Sequence, residues 1–282
     1  MEFRNITFDD KPLVQSVHDS CGFHTLPFAL LYCWKEKVGP KILTRDNWYA
    51  VLSETEKAIY YPCGDKKKTL DFISDNFSMF ENGYMLANVP EAAIADLQSN
   101  FPKLEITEDH DSKQYIYKLD SLANLEGGDY KRFRSKLRAF TSLGEPSYEP
   151  IDDSNISHVK KICEIWQSER GYDDTYGDIL PQKTAVDNFE ALGFSGILVR
   201  MNGEYVGFFA GVADSKDTVY ANFGKTTANN GADIYGLVNY CKTRPSNFTF
   251  LNFEEDMGHQ GLREHKMRMH PCRFIRKFIG RI

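Results

Sequence analysis

Residues 195–225 read SGILVRMNGEYVGFFAGVADSKDTVYANFGK, and this stretch decides the fold class. The run SGILVRM is rich in β-formers, Asn202-Gly203 follows, and EYVGFFAGVA comes next. An Asn-Gly pair between two such runs signals a type I′ hairpin, because both turn residues must reach positive φ. A second turn at Asp214-Ser215-Lys216-Asp217 leads into TVYANFG, so the spacing predicts a three-stranded antiparallel meander.

Working outward, Ile234, Leu237, Val238 and Cys241 fall at i, i+3, i+4 and i+7, one apolar helical stripe opened by Asn230-Gly231. FTFLNF (248–253) returns as a strand, HQGLREHKMRMH (259–270) is a short helix ended by Pro271, and CRFIRKFI (272–279) is a final strand. Upstream, Val159, Ile162, Cys163 and Trp166 mark one helix, and another spans about 182–192. The first half gives nearly the same order. Helices near 9–19 and 27–37 precede the strands KILTR, NWYAVLS and KAIYYP; a helix at 67–80, the strand YMLANV, a helix near 91–100, and strands at 104–108 and 114–119 follow. The repeat is one of element order, not of residues.

The bulk numbers exclude several classes. The chain has 282 residues, 41% hydrophobic and 26% charged, which is ordinary globular composition. A net charge of −6 gives no global pull toward nucleic acid, so any polyanion must meet a local patch. Six single cysteines without a CxxC pair read as reduced thiols, and no histidine or cysteine spacing fits a metal site. The polar N-terminus lacks a secretion signal and no apolar run reaches the ~20 residues of a membrane span, so the expected location is cytoplasmic. No P-loop, dinucleotide fingerprint, GxSxG elbow or sequence-specific DNA-binding motif occurs, and the oligomeric state is not encoded in any readable pattern.

Helices, a three-stranded meander, a helix and then β-α-β resemble the GNAT acyltransferase fold. Twice over, the order resembles the tandem arrangement of aminoacyl-transferring enzymes. The expected class is therefore α/β with mixed sheets, as two GNAT-like halves: 1–119, a basic linking helix and strand at 120–150, and 151–282. Two segments sharpen the likeness. One is Tyr115-x-Tyr117 followed by Leu122, Leu125, Gly127, Arg134 and Phe140. The other is Asn252-x-Glu254-x-Asp256-x-Gly258-x-x-Gly261-Leu262-Arg263-x-x-Lys266, closing on His270-Pro271. Together they are similar to a bacterial family related to the C-terminal catalytic domain of phosphatidylglycerol lysyltransferases, with Ser135 where an Asn usually follows the Arg.

Candidate site residues follow from the same segments. Glu254 and Asp256 sit just after a core strand, where carboxylates face the ligand crevice of open α/β sheets, and either could bind or deprotonate an acceptor. Alternation places Asn252 beside Glu254. An equal reading makes Asp256 a helix cap with Arg263 or Lys266 as its partners. Lys131, Arg132 and Arg134, within five cations at 131–138, are expected to hold the phosphate-bearing end of a donor together with Arg263 and Lys266. Asn230 and Gly231 open a helix whose N-terminus suits a pyrophosphate. The coenzyme A loop is degenerate there, however, and Asp233 carries the wrong charge, so acyl-CoA is disfavoured and no cofactor is certain.

The function expected is transfer of an acyl or aminoacyl group from an aminoacyl-tRNA-like or other small phosphate-bearing donor to an amine or hydroxyl. The alternatives are a non-catalytic ligand-binding protein on the same scaffold and an acetyl-CoA-dependent N-acetyltransferase.

Overall fold

The computed structural model describes residues 2–21, 26–169, 177–227 and 231–282. Two compact units form: 1–114 with 255–258 and 275–282, and 115–254 with 259–274.

The first unit carries a seven-stranded sheet in the order Arg4–Asn5, Pro40–Arg45, Trp48–Ser53, Ala58–Gly64, Met85–Val89, Phe278–Arg281, Glu105–Glu108. Every pairing is antiparallel except Ala58–Gly64 with Met85–Val89, which the helix Lys66–Asp75 connects. Asp65 caps that helix by accepting from the Lys68 N–H at 2.8 Å. Trp48, Phe72 and Phe80 fill the core, and the Trp48 indole donates to Thr69 Oγ1 at 3.0 Å.

The second unit holds two four-stranded sheets. One runs Phe223–Thr226, Glu204–Gly211, Ser195–Met201, Pro146–Pro150, antiparallel throughout. The Asn202-Gly203 turn adopts φ of +52° and +86°, as the type I′ signal requires. The other sheet runs Thr218–Tyr220, Phe250–Asn252, Gln114–Lys118, Arg273–Ile275, and its first pair is parallel. The helix Ala232–Lys242 bridges that parallel pair, so each unit contains a parallel β-α-β step. Ile234, Leu237, Val238 and Cys241 are buried as their stripe predicts.

Three features depart from the sequence expectation. TVYANFG is not one strand. It breaks at Ala221-Asn222 and serves both sheets of the second unit. CRFIRKFI also breaks, into Arg273–Ile275 in a second-unit sheet and Phe278–Arg281 in the first unit's sheet. The strand Gln114–Lys118, counted with the first half, pairs in the second unit instead. Each half thus takes its last strand from the other, and the units are not two simple consecutive segments. The basic helix (Lys131–Thr141) belongs to the second unit as well, with Tyr130 and Phe140 buried in its core and Phe133 and Leu137 packed against it.

Candidate functional site

The site is built where TVYANFG breaks. The Tyr220 N–H bonds the Val212 carbonyl at 2.8 Å, so this segment still lies beside the meander. The next two residues then divide their hydrogen bonds: Ala221 N–H goes to the Asn252 carbonyl and Asn222 N–H to the Ala210 carbonyl, each at 3.0 Å. Those acceptors belong to different sheets, so the two sheets part at this dipeptide. The Tyr240 hydroxyl donates to the Tyr220 carbonyl at 2.6 Å and ties the bridging helix to the same point.

Glu254 occupies the opening. The strand Phe250–Asn252 ends two residues earlier, and Glu254 takes φ +57°, a left-handed conformation that is uncommon for a residue with a Cβ. Hydrogen bonds from several sides hold this short segment. Asn252 Oδ1 accepts from the Glu254 N–H at 2.9 Å. The Glu254 carbonyl accepts from Tyr115 N–H at 3.2 Å, and Phe253 N–H donates to the Tyr115 carbonyl at 3.0 Å. Finally, Asn222 Nδ2 donates to Glu254 Oε1 at 3.1 Å. Strand alternation therefore does not set the Glu254 direction; an Asx-type turn from the fully buried Asn252 does. Asn252, expected among the substrate- or donor-binding residues, uses its Oδ1 in this turn.

Lys266 is also enclosed, at 5% exposure. Its ammonium donates to the Phe253 carbonyl at 2.6 Å and lies 5.6 Å from the Tyr115 and Phe253 ring centroids. The Lys266 carbonyl accepts from the Tyr117 hydroxyl at 2.8 Å. Lys266 braces the turn that presents Glu254. A buried ammonium satisfied by a carbonyl and two aromatic faces is costly to lose, which accounts for a lysine at a core position.

Arg134 is likewise spent on structure. Its guanidinium donates to the carbonyls of Leu125 and Gly127, the latter at 2.6 Å. Leu125 is the left-handed cap of the helix Leu119–Asn124, so Arg134 satisfies acceptors left over at a helix end. Arg134→Ala should cost about 1–3 kcal/mol in urea unfolding, as expected for a charged donor withdrawn from two carbonyls.

Asp256 belongs to the first unit, where it is fully buried and its Oδ1 accepts from the Gly258 N–H at 3.0 Å. It does not cap the following helix, Gln260–Arg268, whose N-cap is His259. Asp256 thus closes the turn at 256–258, in contrast to the half-buried Glu254.

The basic segments at 131–138 and 259–268 converge in the second unit. The Tyr130 hydroxyl donates to the Met269 carbonyl at 3.2 Å, and the Tyr130 ring meets the His270 ring edge-on at 5.4 Å. Around His265 stand Asp233, Lys136, Lys266 and Arg268. Lys131, Arg132, Lys136 and Arg138 are exposed. The more C-terminal cations are engaged elsewhere: Arg268 pairs with Glu264 at 2.7 Å and Arg273 lies over Phe250. Arg276 pairs with Glu91 and Glu108 within the first unit. Arg263 is half-buried on the Gln260–Arg268 helix.

Burial lowers the His265 pKa from its ordinary 6.5, Asp233 opposes the shift, and the three cations add to it. A histidine whose folded pKa lies below its unfolded value contributes stability above pH 6.5 and loses it as the pH falls from 6.5 through the folded value. The unfolding midpoint should drop across that window, and His265→Gln should flatten the drop.

Gly231 closes the set. It precedes the helix Ala232–Lys242 with φ +98°, and a Cβ there would overlap the Lys136 carbonyl oxygen and lie 3.3 Å from Phe140 Cβ. The backbone of the basic helix therefore sits directly against this helix start. Asn230 lies outside the described residues, as do Arg170, Gly171 and Tyr172, which follow the Ile156–Glu169 helix. Among the described residues no group of three or more His, Cys, Asp or Glu is placed to hold a metal ion, and no helix is long and apolar enough to cross a membrane. All six cysteines are free.

Asn222 is the site residue that sequence reasoning missed. The available signal was an Asn inside an otherwise β-branched and aromatic run, a residue type that strands disfavour.

Comparisons with known proteins agree with this architecture. The profile of the family described as phosphatidylglycerol lysyltransferase, C-terminal, matches residues 22–280. A conserved protein of unknown function from Bacteroides thetaiotaomicron superposes with a TM-score of 0.89 at 23% identity, covering 99% of each chain. The C-terminal domain of a protein assigned as a lysylphosphatidylglycerol synthetase from Agrobacterium fabrum gives 0.67 at 11% identity, over 96% of this chain and 91% of that one. A tandem GNAT protein from the clavulanic acid biosynthesis pathway gives 0.50 at 7% identity, over 99% and 97%. The fold is thus the mixed α/β, tandem GNAT-like one. A search of curated proteins returned no match.

Proposed function

Because the chain belongs to the family of phosphatidylglycerol lysyltransferase C-terminal domains, we propose that it transfers an aminoacyl group from an aminoacyl-tRNA-like donor to a hydroxyl or amine acceptor. Lysyl-tRNA and phosphatidylglycerol are the first pair that membership implies. The observation that carries the reading is Glu254, strained in its backbone and anchored by Asn222 and Asn252 where two sheets part.

In this reading the acceptor oxygen or nitrogen attacks the ester carbonyl carbon while Glu254 takes its proton. The carbon–oxygen bond to the ribose then breaks, and the proton passes from Glu254 to the departing ribose oxygen. Catalysis of this kind needs chiefly positioning and one base, so few diagnostic residues are required. Lys131, Arg132, Lys136 and Arg138 provide the electrostatic surface for the donor's phosphates, with Arg263 on the neighbouring helix.

The contact of the Lys136 carbonyl with Gly231 supports a donor other than acyl-CoA. It sets an acceptor oxygen and a packed helix where a pyrophosphate would need open N–H groups. Two titrations test the proposal. Acetyl-CoA should give no detectable heat, and charged tRNA should bind with an affinity that falls steeply with salt. Reversing Lys131, Arg132, Lys136 and Arg138 to Glu should remove most of that salt dependence, since each phosphate contact adds roughly 0.7–0.9 to the log–log slope. Tight acetyl-CoA binding, or tRNA binding indifferent to the reversals, would count against it.

A further inference from the structure

A groove of about 270 Å³ lies between the helices Ile156–Glu169 and Ile179–Asp187 of the second unit. None of its lining residues comes from the 131–138 or 252–266 segments, and the transfer reaction uses none of them. Its volume lies just below that of drug-sized ligand sites and far above what one water needs, which suits a small ligand.

The lining is chemically one-sided once its internal pairs are removed. Cys163, Ile179 and Val186 supply the apolar surface. Lys160 and Lys183 both bind Asp187, at 2.7 and 2.8 Å, so the two cations share one carboxylate of the groove wall. Two acceptors are left over. The Glu164 carboxylate has no hydrogen-bond or ion-pair partner among the described residues. Gln182 is 2% exposed, and among the described residues its Oε1 is buried without a hydrogen bond. Nearly all buried polar atoms find a partner, so an orphaned carbonyl on a groove wall marks a place where a donor is missing. The terminal amide torsion is soft, which lets that oxygen swing toward an occupant. Burial pushes the Cys163 thiol up to about 12, so it remains a neutral, weakly polar wall at pH 7.

From this geometry we propose that the groove is a binding site for a small aliphatic ammonium compound. The ammonium lies between the Glu164 carboxylate and Gln182 Oε1, and the hydrocarbon rests on Cys163, Ile179 and Val186. An anionic ligand is not favoured, because Lys160 and Lys183 are both engaged by Asp187 and Glu164 adds a second carboxylate to the lining.

Calorimetric titration of the full chain at pH 7 with n-pentylamine, 1-pentanol and pentanoate tests this directly. Pentylamine should bind with Kd at or below about 1 mM, and the other two at least about tenfold more weakly. Glu164→Gln, at an exposed position where folding is not at stake, should weaken pentylamine about tenfold. Gln182→Met, close in volume but without the acceptor, should weaken it too while raising the unfolding midpoint. Absence of heat from pentylamine, equal binding of pentanol or pentanoate, or wild-type affinity in both variants would overturn the proposal.

Discussion

Glu254→Gln should lower kcat for aminoacyl transfer by about 10²–10⁴ while leaving the unfolding midpoint almost unchanged. The amide keeps an oxygen that can accept from Asn222 Nδ2, so the anchoring bond now at 3.1 Å survives. What disappears is the negative charge, and with it the ability to take a proton. Glu254→Gly sharpens the test. Glycine adopts φ +57° without strain, so this variant should be at least as tolerant in its backbone and equally inactive. Near wild-type turnover in Glu254→Gln would make the carboxylate an anchor for the turn and nothing more. Comparing kcat with stability for both variants in one set of preparations decides the matter.

Gly231→Ala is expected to be strongly destabilising, at about 2–4 kcal/mol. Two penalties combine: a left-handed backbone at φ +98°, and overlap of the new Cβ with the Lys136 carbonyl oxygen. Gly203→Ala provides the control. Its φ is +86° and no atom lies within 4 Å of the added Cβ, so it should cost only about 1 kcal/mol. The difference between the two urea midpoints isolates the close approach of the basic helix. Equal losses would mean that the helix start is open, and with it a route for a pyrophosphate.

Local pattern made much of the fold legible. The Asn202-Gly203 turn and the 234–241 stripe both describe what neighbouring residues do to one another, and the structure realises both. The exchange of last strands was not legible. A run such as YIYK or KFIG states that it will pair without stating with whom, because hydrogen-bonding edges carry no address. The break within TVYANFG was announced only by Asn222.

In the site, the sequence displayed charges but not their directions. Lys266 and Arg134 read as ligands for phosphate because they are cations in a motif, yet backbone carbonyls claim both. Asp256 and Glu254 stand two residues apart and look interchangeable. A buried Asx turn encloses one, while the left-handed φ of the other turns it to the place where the sheets part. Such assignments depend on a single backbone dihedral and on which carbonyls are left unsatisfied. Neither leaves a periodic trace in the residues.

The decisive measurement is discharge of aminoacyl-tRNA. Purified chain, a complete set of radiolabelled aminoacyl-tRNAs and phosphatidylglycerol vesicles are incubated together, and the loss of label from tRNA is followed beside its appearance in lipid. The wild-type chain should discharge at least one aminoacyl-tRNA, lysyl-tRNA first, well above the rate seen with Glu254→Gln, and added acetyl-CoA should leave that rate unchanged. If no aminoacyl-tRNA is discharged faster by the wild type than by Glu254→Gln, the assignment of Glu254 to aminoacyl transfer is wrong.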